Sequence, residues 1–170
     1  MDEKRLNDLD FAIEKSLRYH QRRRAHYERL HKIVMFGVIL SGSIVFAEIT
    51  PYMGLVGVVL ATLDLVFGFA PKSRDHVMLH SDFTALAIDI RSTSEPDQQK
   101  LNEWTRRRLE IEAKEPPTFW AIEASCYNEV CFARGCEKEG LVQLKPRHKI
   151  FMNWIKFESE AFPKLGAASQ

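Results

Sequence analysis

Basic residues are absent from residues 33–70 of this 170-residue chain. The same stretch holds only two acids, Glu48 and Asp64, and almost all of its other side chains are apolar or small. A soluble domain rarely needs so long a segment with so few polar side chains. Apolar segments of this length are typical of chains that cross a lipid bilayer. The missing charge therefore points to a membrane segment rather than to an ordinary soluble core.

Proline occurs once in this segment, at Pro51, and Gly54 follows shortly after it. Both residues interrupt helices, so their position near the middle predicts a tight turn between two helices, 33–50 and 52–70. Each helix is short for a span, since a bilayer calls for ~20 apolar residues and ~17 suffice. Because the two lie side by side across one turn, we predict a transmembrane hairpin.

Catalytic motifs are also missing from the sequence. The chain has no glycine-rich phosphate loop, no GxSxG and no HExxH. Its three cysteines, Cys126, Cys131 and Cys136, lack a metal-binding spacing and form a poor disulfide framework, so we expect reduced thiols. We predict no enzyme, no catalytic residue, no metal site and no cofactor.

Period-two alternation and internal repeats are scarce as well, whereas helical periodicity is strong outside the hairpin. The sequence therefore predicts an all-α protein, in which a transmembrane hairpin is combined with a long N-terminal cytoplasmic helix and a C-terminal helical bundle. The predicted parts are an amphipathic, basic helix over 1–32, the hairpin over 33–70, a cytoplasmic helical region over 71–160 and a disordered tail over 161–170.

Two of the predicted helices have a clear apolar face. In the first helix this face carries Leu6, Leu9, Ile13, Leu17, His20, Tyr27 and Leu30, and Arg24 interrupts it. In the helix after the hairpin the face carries Val77, Phe83, Leu86 and Ile90. We expect both faces to be packed against other helices.

Positive charge is concentrated just before the hairpin. The net charge of the chain is only +1, so no overall field favours nucleic acid, and we predict no nucleic-acid partner. Lys72 and Arg74 follow the second span, and the connecting turn has no basic residue, which places both termini in the cytoplasm. The residues predicted to contact lipid headgroups are Arg22, Arg23, Arg24, Arg29 and Lys32.

Small residues and an acid share one face of the second span. The pore-lining candidates on the two spans are Asp64, Glu48, Gly57, Ala61, Gly68 and Ser41. One interpretation is that these stripes face each other and hold the hairpin together, because small residues let membrane helices approach closely. The other is that stripes from several copies line a water-filled path, where acids favour cations. In either case Asp64, deep in the bilayer, should face protein or water.

Three motifs in this order resemble the SLATT superfamily of bacterial and fungal two-transmembrane proteins. They are YHQRRRAHYERLHK before the hairpin, HVMLHSDFTALAIDI after it and CYNEVCFARG in a later helix. The resemblance extends over residues 19–134. It implies a membrane effector of bacterial defence that forms pores as a homo-oligomer and responds to an upstream sensor protein.

The leading prediction is therefore an oligomeric, pore-forming, ion-conducting protein of the bacterial inner membrane. One alternative is a non-conducting membrane scaffold or partner-docking protein. The other is a soluble helical bundle that buries the hairpin, in which Glu48 and Asp64 would pair with Arg or His.

Overall fold

Six α-helices and one short 3-10 helix make up the regular structure in the residues that this computed structural model describes, namely 3–43, 52–159 and 162–164. Within those residues there is no β-strand, and two residues pair in an isolated bridge, Val142 with Lys164. The helices are α1 (Glu3–Ser41), α2 (Met53–Phe67), α3 (Phe69–Ser92), α4 (Gln98–Glu112), α5 (Trp120–Ala133), the 3-10 helix (Lys138–Gly140) and α6 (Pro146–Phe151). The all-α prediction is confirmed.

The first helix, α1, is one continuous rod of 39 residues. It joins the predicted N-terminal helix to the first half of the predicted hairpin, because no proline interrupts the chain between them. The first predicted span, 33–50, is described only as far as Ser43, and Glu48 lies outside the described residues. Of the predicted disordered tail, 161–170, only residues 162–164 are described.

The chain divides into two units. The first, which we call the helical domain, combines residues 1–21 with residues 78–170. The second, the hairpin unit, is residues 22–77. The N-terminal half of α1 thus folds with the C-terminal helices, and its other half folds with α2.

The core of the helical domain is formed by α1, α3 and α4. Phe83, Leu86 and Ile90 are buried, as the sequence predicts for α3, whereas Val77 is exposed. At the centre of the core lies the indole ring of Trp104, whose Nε1 donates a hydrogen bond of 2.8 Å to Asp89 Oδ2. The buried residues of this core are Leu9, Ile13, Leu79, Phe83, Leu86, Ala87, Ile90, Leu101, Trp104 and Ile111.

The C-terminal end of α5 is held against α1 by Arg134. Its guanidinium donates to Asp10 Oδ2 at 2.5 Å, to Glu14 Oε2 at 3.1 Å and to Asn7 Oδ1 at 2.8 Å. Arg18 donates to the other oxygen of the Glu14 carboxylate at 2.9 Å. Several charge-assisted hydrogen bonds that converge on one side chain are stronger than isolated surface pairs, so this cluster fixes α5 on α1.

We expect acid to weaken this contact. Burial raises the pKa of the Glu14 carboxyl, but the hydrogen bonds and charges of Arg18 and Arg134 outweigh burial and hold the pKa below its ordinary value. A carboxyl with a depressed folded-state pKa stabilises the fold above its unfolded-state pKa, and this contribution is lost as the pH falls through the folded-state value. The helical domain should therefore lose thermal stability as the pH falls below about 4.3, the ordinary pKa of a glutamate in the unfolded chain.

The measurement is thermal unfolding in detergent across the acid range. Glu14→Gln should flatten the acid part of the stability profile. The matched control is Glu103→Gln, because Glu103 is paired with Lys100 at 3.2 Å on an exposed surface. An acid profile that Glu14→Gln leaves as steep as in the unmodified protein would contradict the prediction.

Candidate functional site

The acid that the sequence places deep in the second span, Asp64, has a specific partner on α1. His31 Nδ1 lies 3.1 Å from Asp64 Oδ1 and 3.2 Å from Oδ2. The Asp64 side chain is 19% exposed, so the carboxylate is directed toward α1. The sequence predicts that Asp64 faces either protein or water, and in the structure it faces protein, namely His31 of α1. Sequence reasoning missed His31 because this residue belongs to the basic segment before the first predicted span.

Helices α1 and α2 also pack closely at Gly37 and Ser41 of α1, which meet Leu60 and Gly57 of α2 in an antiparallel register. A Cβ atom added at Gly57 would overlap the Ser41 hydroxyl, and one added at Gly37 would lie 2.7 Å from Leu60 Cδ1. Ser41 is buried, and its hydroxyl donates to the Val38 carbonyl at 2.9 Å. Small residues on both helices thus permit a close approach between them.

The six pore-lining candidates fall into different positions. Ser41, Gly57 and Asp64 lie where α1 meets α2. Ala61 is exposed, and Gly68 ends α2 with a left-handed backbone, φ 59°, that favours glycine. Glu48 lies outside the described residues. The candidates that the structure brings together are thus the ones that contact the other helix of the same hairpin.

The opposite face of α2 is apolar and exposed, and no residue of this helix is buried. Leu65 is 83% exposed and Val66 is 72% exposed. Among the described residues, one helical stretch, Met53–Ser92, is long and apolar enough to cross a membrane. The second predicted span lies in this stretch. The two-span hairpin itself stays a prediction, since residues 44–51 are not described.

The alternative of a soluble helical bundle has two requirements in this region. It predicted an Arg or His partner for Asp64, and His31 is such a partner. It also required the apolar helices to be buried, and α2 has no buried residue. The exposed apolar side chains of α2 do not meet this second requirement, because the helices of a soluble core bury such side chains.

Among the five predicted headgroup contacts, Arg23 is oriented inward. Its side chain is buried, and it donates a hydrogen bond to the Tyr27 hydroxyl. The reason is helical spacing, since Arg23 is three residues after the buried His20 and four before Tyr27. Arg24, which the sequence pattern predicts on that face, is exposed, and its Nε donates to Glu28 Oε1 at 2.8 Å. The structure therefore does not present Arg23 to headgroups.

Tyr27 is the centre of a small cluster in the hairpin unit. The imidazole of His76 stacks on its ring with 5.7 Å between the centroids, and Lys72 Nζ lies 5.9 Å from the same centroid. Arg23 lies over the ring at 4.5 Å. An aromatic ring attracts cations to its face, so Tyr27 compensates part of the positive charge that gathers beside the hairpin.

The density of positive charge affects the neighbouring His26. Partial burial, together with the charges of Arg23 and Arg29, lowers the pKa of His26 to about 4. His26 is therefore neutral at physiological pH and adds no charge to the basic segment.

Four of the five predicted headgroup residues remain besides Arg23. Arg24, Arg29 and Lys32 are exposed, while Arg22 is half-buried.

Chemically, this region offers helix contact, apolar surface and positive charge. Among the described residues there is no group of three or more His, Cys, Asp and Glu side chains that could hold a metal ion. Comparison of the chain with known protein families, with curated proteins and with solved structures finds no match.

Proposed function

We propose that this chain is an integral membrane protein whose hairpin, residues 33–70, anchors the helical domain to the bacterial inner membrane. The observation that carries the proposal is the arrangement of α2. Asp64, Gly57 and Leu60 face α1, while most of the large apolar side chains of α2 face outward. Exposed apolar area costs about 25 cal/mol per Å² in water, and lipid removes that cost.

Charge supports an orientation with both termini in the cytoplasm. Arg24, Arg29 and Lys32 are exposed just before the predicted first span, and Lys72 and Arg74 are exposed just after the second. Basic residues are retained on the cytoplasmic side of bacterial membranes and are attracted to anionic headgroups there. In this orientation the helical domain lies in the cytoplasm, where it is available for assembly or for docking of a partner.

A lysine on the outward face of α2 tests the anchor. Val58→Lys should lower the fraction of protein that stays in membranes after alkaline carbonate extraction, because a basic residue in mid-span costs about 3 kcal/mol on insertion. Ile88→Lys is the matched control, since Val58 is 63% exposed and Ile88, in the helical domain, is 62% exposed. The control should remain membrane-bound.

The comparison between these two variants decides the location. Equal extraction of Val58→Lys and Ile88→Lys, or release of the unmodified protein without detergent, would contradict membrane anchoring and favour the soluble bundle.

In this proposal the anchor is non-conducting. The polar groups that would attract ions, the Asp64 carboxylate and the Ser41 hydroxyl, are both bonded within the hairpin unit. The outward face offers mainly apolar side chains to a neighbouring copy, and its one hydroxyl on α2, that of Thr62, donates to the Val58 carbonyl at 2.8 Å. Rings of carbonyl or charged groups select ions in pores, and the outward face of α2 carries no charged side chain.

A pore built from several copies is the second candidate function, and the His31–Asp64 pair favours it. An acid and a histidine within or beside an apolar span are costly in lipid, and such residues often mark ion or proton pathways. The resemblance to SLATT proteins points the same way and adds homo-oligomers and an upstream sensor protein as expected partners.

Ion flux through proteoliposomes separates the two functions. If the hairpin is only an anchor, liposomes with the unmodified protein should release ions at the rate of empty liposomes. If it is a pore, the protein should raise the flux, and Asp64→Asn should reduce it at least tenfold, because the acid would attract the cations. His31→Gln is the companion variant. A high flux that both variants leave unchanged would exclude Asp64 and His31 from the conduction path.

A further inference from the structure

Helix α5 ends in a backbone motif that brings two cysteines together. Gly135 has a left-handed φ of 70°, its N–H donates to the Phe132 carbonyl at 3.3 Å, and the Cys136 N–H donates to the Cys131 carbonyl at 2.9 Å. This pair of bonds defines a Schellman motif, in which the side chains at the positions of Cys131 and Cys136 commonly contact each other. The spacing of five residues between Cys131 and Cys136 in the sequence does not by itself indicate this contact.

The separation of the two residues suits a disulfide. With 2.9 Å between Cys136 N and Cys131 O, covalent geometry limits the distance between the two Cα atoms to about 6.8 Å. Disulfides span Cα separations of about 4.4–6.8 Å. Both thiols are free in the structure, so they are available to react with each other.

The two thiols differ in their surroundings. Cys136 is exposed, whereas Cys131 is buried. Burial raises the pKa of the Cys131 thiol, and a hydrogen bond with Cys136 raises it further. The exposed thiol is therefore the one that meets a dissolved oxidant, and the buried thiol is held beside it.

We propose that Cys131 and Cys136 are a peroxide-sensitive thiol pair that closes to an intrachain disulfide. The Cys136 thiolate attacks hydrogen peroxide, the O–O bond breaks, and Cys136 becomes a sulfenic acid as one water is released. The Cys131 sulfur then attacks the Cys136 sulfur, the S–S bond forms and a second water leaves. Two thiols thus give two protons and two electrons to one peroxide.

The position of the pair gives the reaction a structural consequence. Arg134 lies between the two cysteines in the chain and holds the end of α5 on α1 through Asp10 and Glu14. A disulfide between residues 131 and 136 restricts the turn that carries this arginine. Oxidation should therefore make the contact between α5 and α1 harder to open, and reduction should release the restriction.

The experiment treats the full-length protein in detergent with hydrogen peroxide and then digests it with trypsin without a reductant. Trypsin cleaves after Arg134, so Cys131 and Cys136 end in different peptides that only a disulfide can join. The expected result is a loss of two hydrogen masses from the intact protein and a linked pair of peptides that dithiothreitol separates. Because folding holds the thiols together, the folded protein should convert the sulfenic acid mainly to the disulfide, whereas in urea a larger share of Cys136 should gain further oxygen atoms.

Three serine variants complete the test. Cys136→Ser should abolish the loss of two hydrogen masses, and Cys131→Ser should leave Cys136 to gain oxygen atoms instead. Cys126→Ser, which removes the third thiol, should react like the unmodified protein. Absence of the linked peptides, or the same ratio of disulfide to oxygenated Cys136 in folded and unfolded protein, would overturn the proposal. So would a cross-link that Cys126→Ser removes.

Discussion

Replacing Trp104 by alanine should lower the free energy of unfolding of the helical domain by about 3–5 kcal/mol. The indole is fully buried in the core that α1, α3 and α4 share, with Phe83 and Ile13 among its neighbours in the cluster. Alanine removes the ring and leaves a cavity that rigid helices fill only in part. A domain has about 5–15 kcal/mol of stability in total, so this loss is a large share of it.

Two companion variants separate the contributions of Trp104. Trp104→Phe keeps an aromatic ring but removes the donor to Asp89, which is partly exposed and regains water, so the cost should be much smaller than for alanine. Trp154→Ala is the surface control, because that indole is 64% exposed. Urea unfolding in mild detergent, followed by circular dichroism, measures all three. A cost for Trp104→Ala no larger than for Trp154→Ala would contradict the core assignment.

Gly57→Ala should destabilise the hairpin unit by about 1–3 kcal/mol, although alanine is the better helix former. The added methyl group would overlap the Ser41 hydroxyl, which is buried and bonded to the Val38 carbonyl. Gly54→Ala is the matched control on the same helix, since nothing lies within 4 Å of a Cβ atom added there. That control should be neutral or slightly stabilising. Thermal unfolding in detergent gives both values.

The double variant Ser41→Ala with Gly57→Ala makes the test specific. Removing the hydroxyl leaves room for the new methyl group, because the Ser41 Cβ lies at an ordinary contact distance of 3.5 Å. The double variant should therefore recover at least about 1 kcal/mol relative to the sum of the single changes. Strictly additive effects would mean that α1 and α2 do not meet at this pair of residues.

Much of the helical architecture can be predicted from the sequence because helical periodicity is a local property. Phe83, Leu86 and Ile90 recur at steps of three and four residues, and all three are buried. Val77 continues the same pattern and is nevertheless exposed, since a period identifies a face but does not say how far along the helix a neighbour covers it. Arg23 is the opposite case, because it is a charged residue that would be expected at the surface and is nevertheless buried.

By itself the sequence determined the helical class, the apolar segment without basic residues and the cysteine content. These follow from residue type and spacing, which act over one or two helical turns. Only the tertiary structure decided that His31 meets Asp64, that Ser41 meets Gly57 and that the Schellman motif brings Cys131 to Cys136. The first two contacts depend on the register between two helices, and the third on a backbone turn at Gly135. No single local pattern encodes the register between two helices. Gly135 is a local signal for a helix end, but it does not by itself show that the side chains of Cys131 and Cys136 meet there.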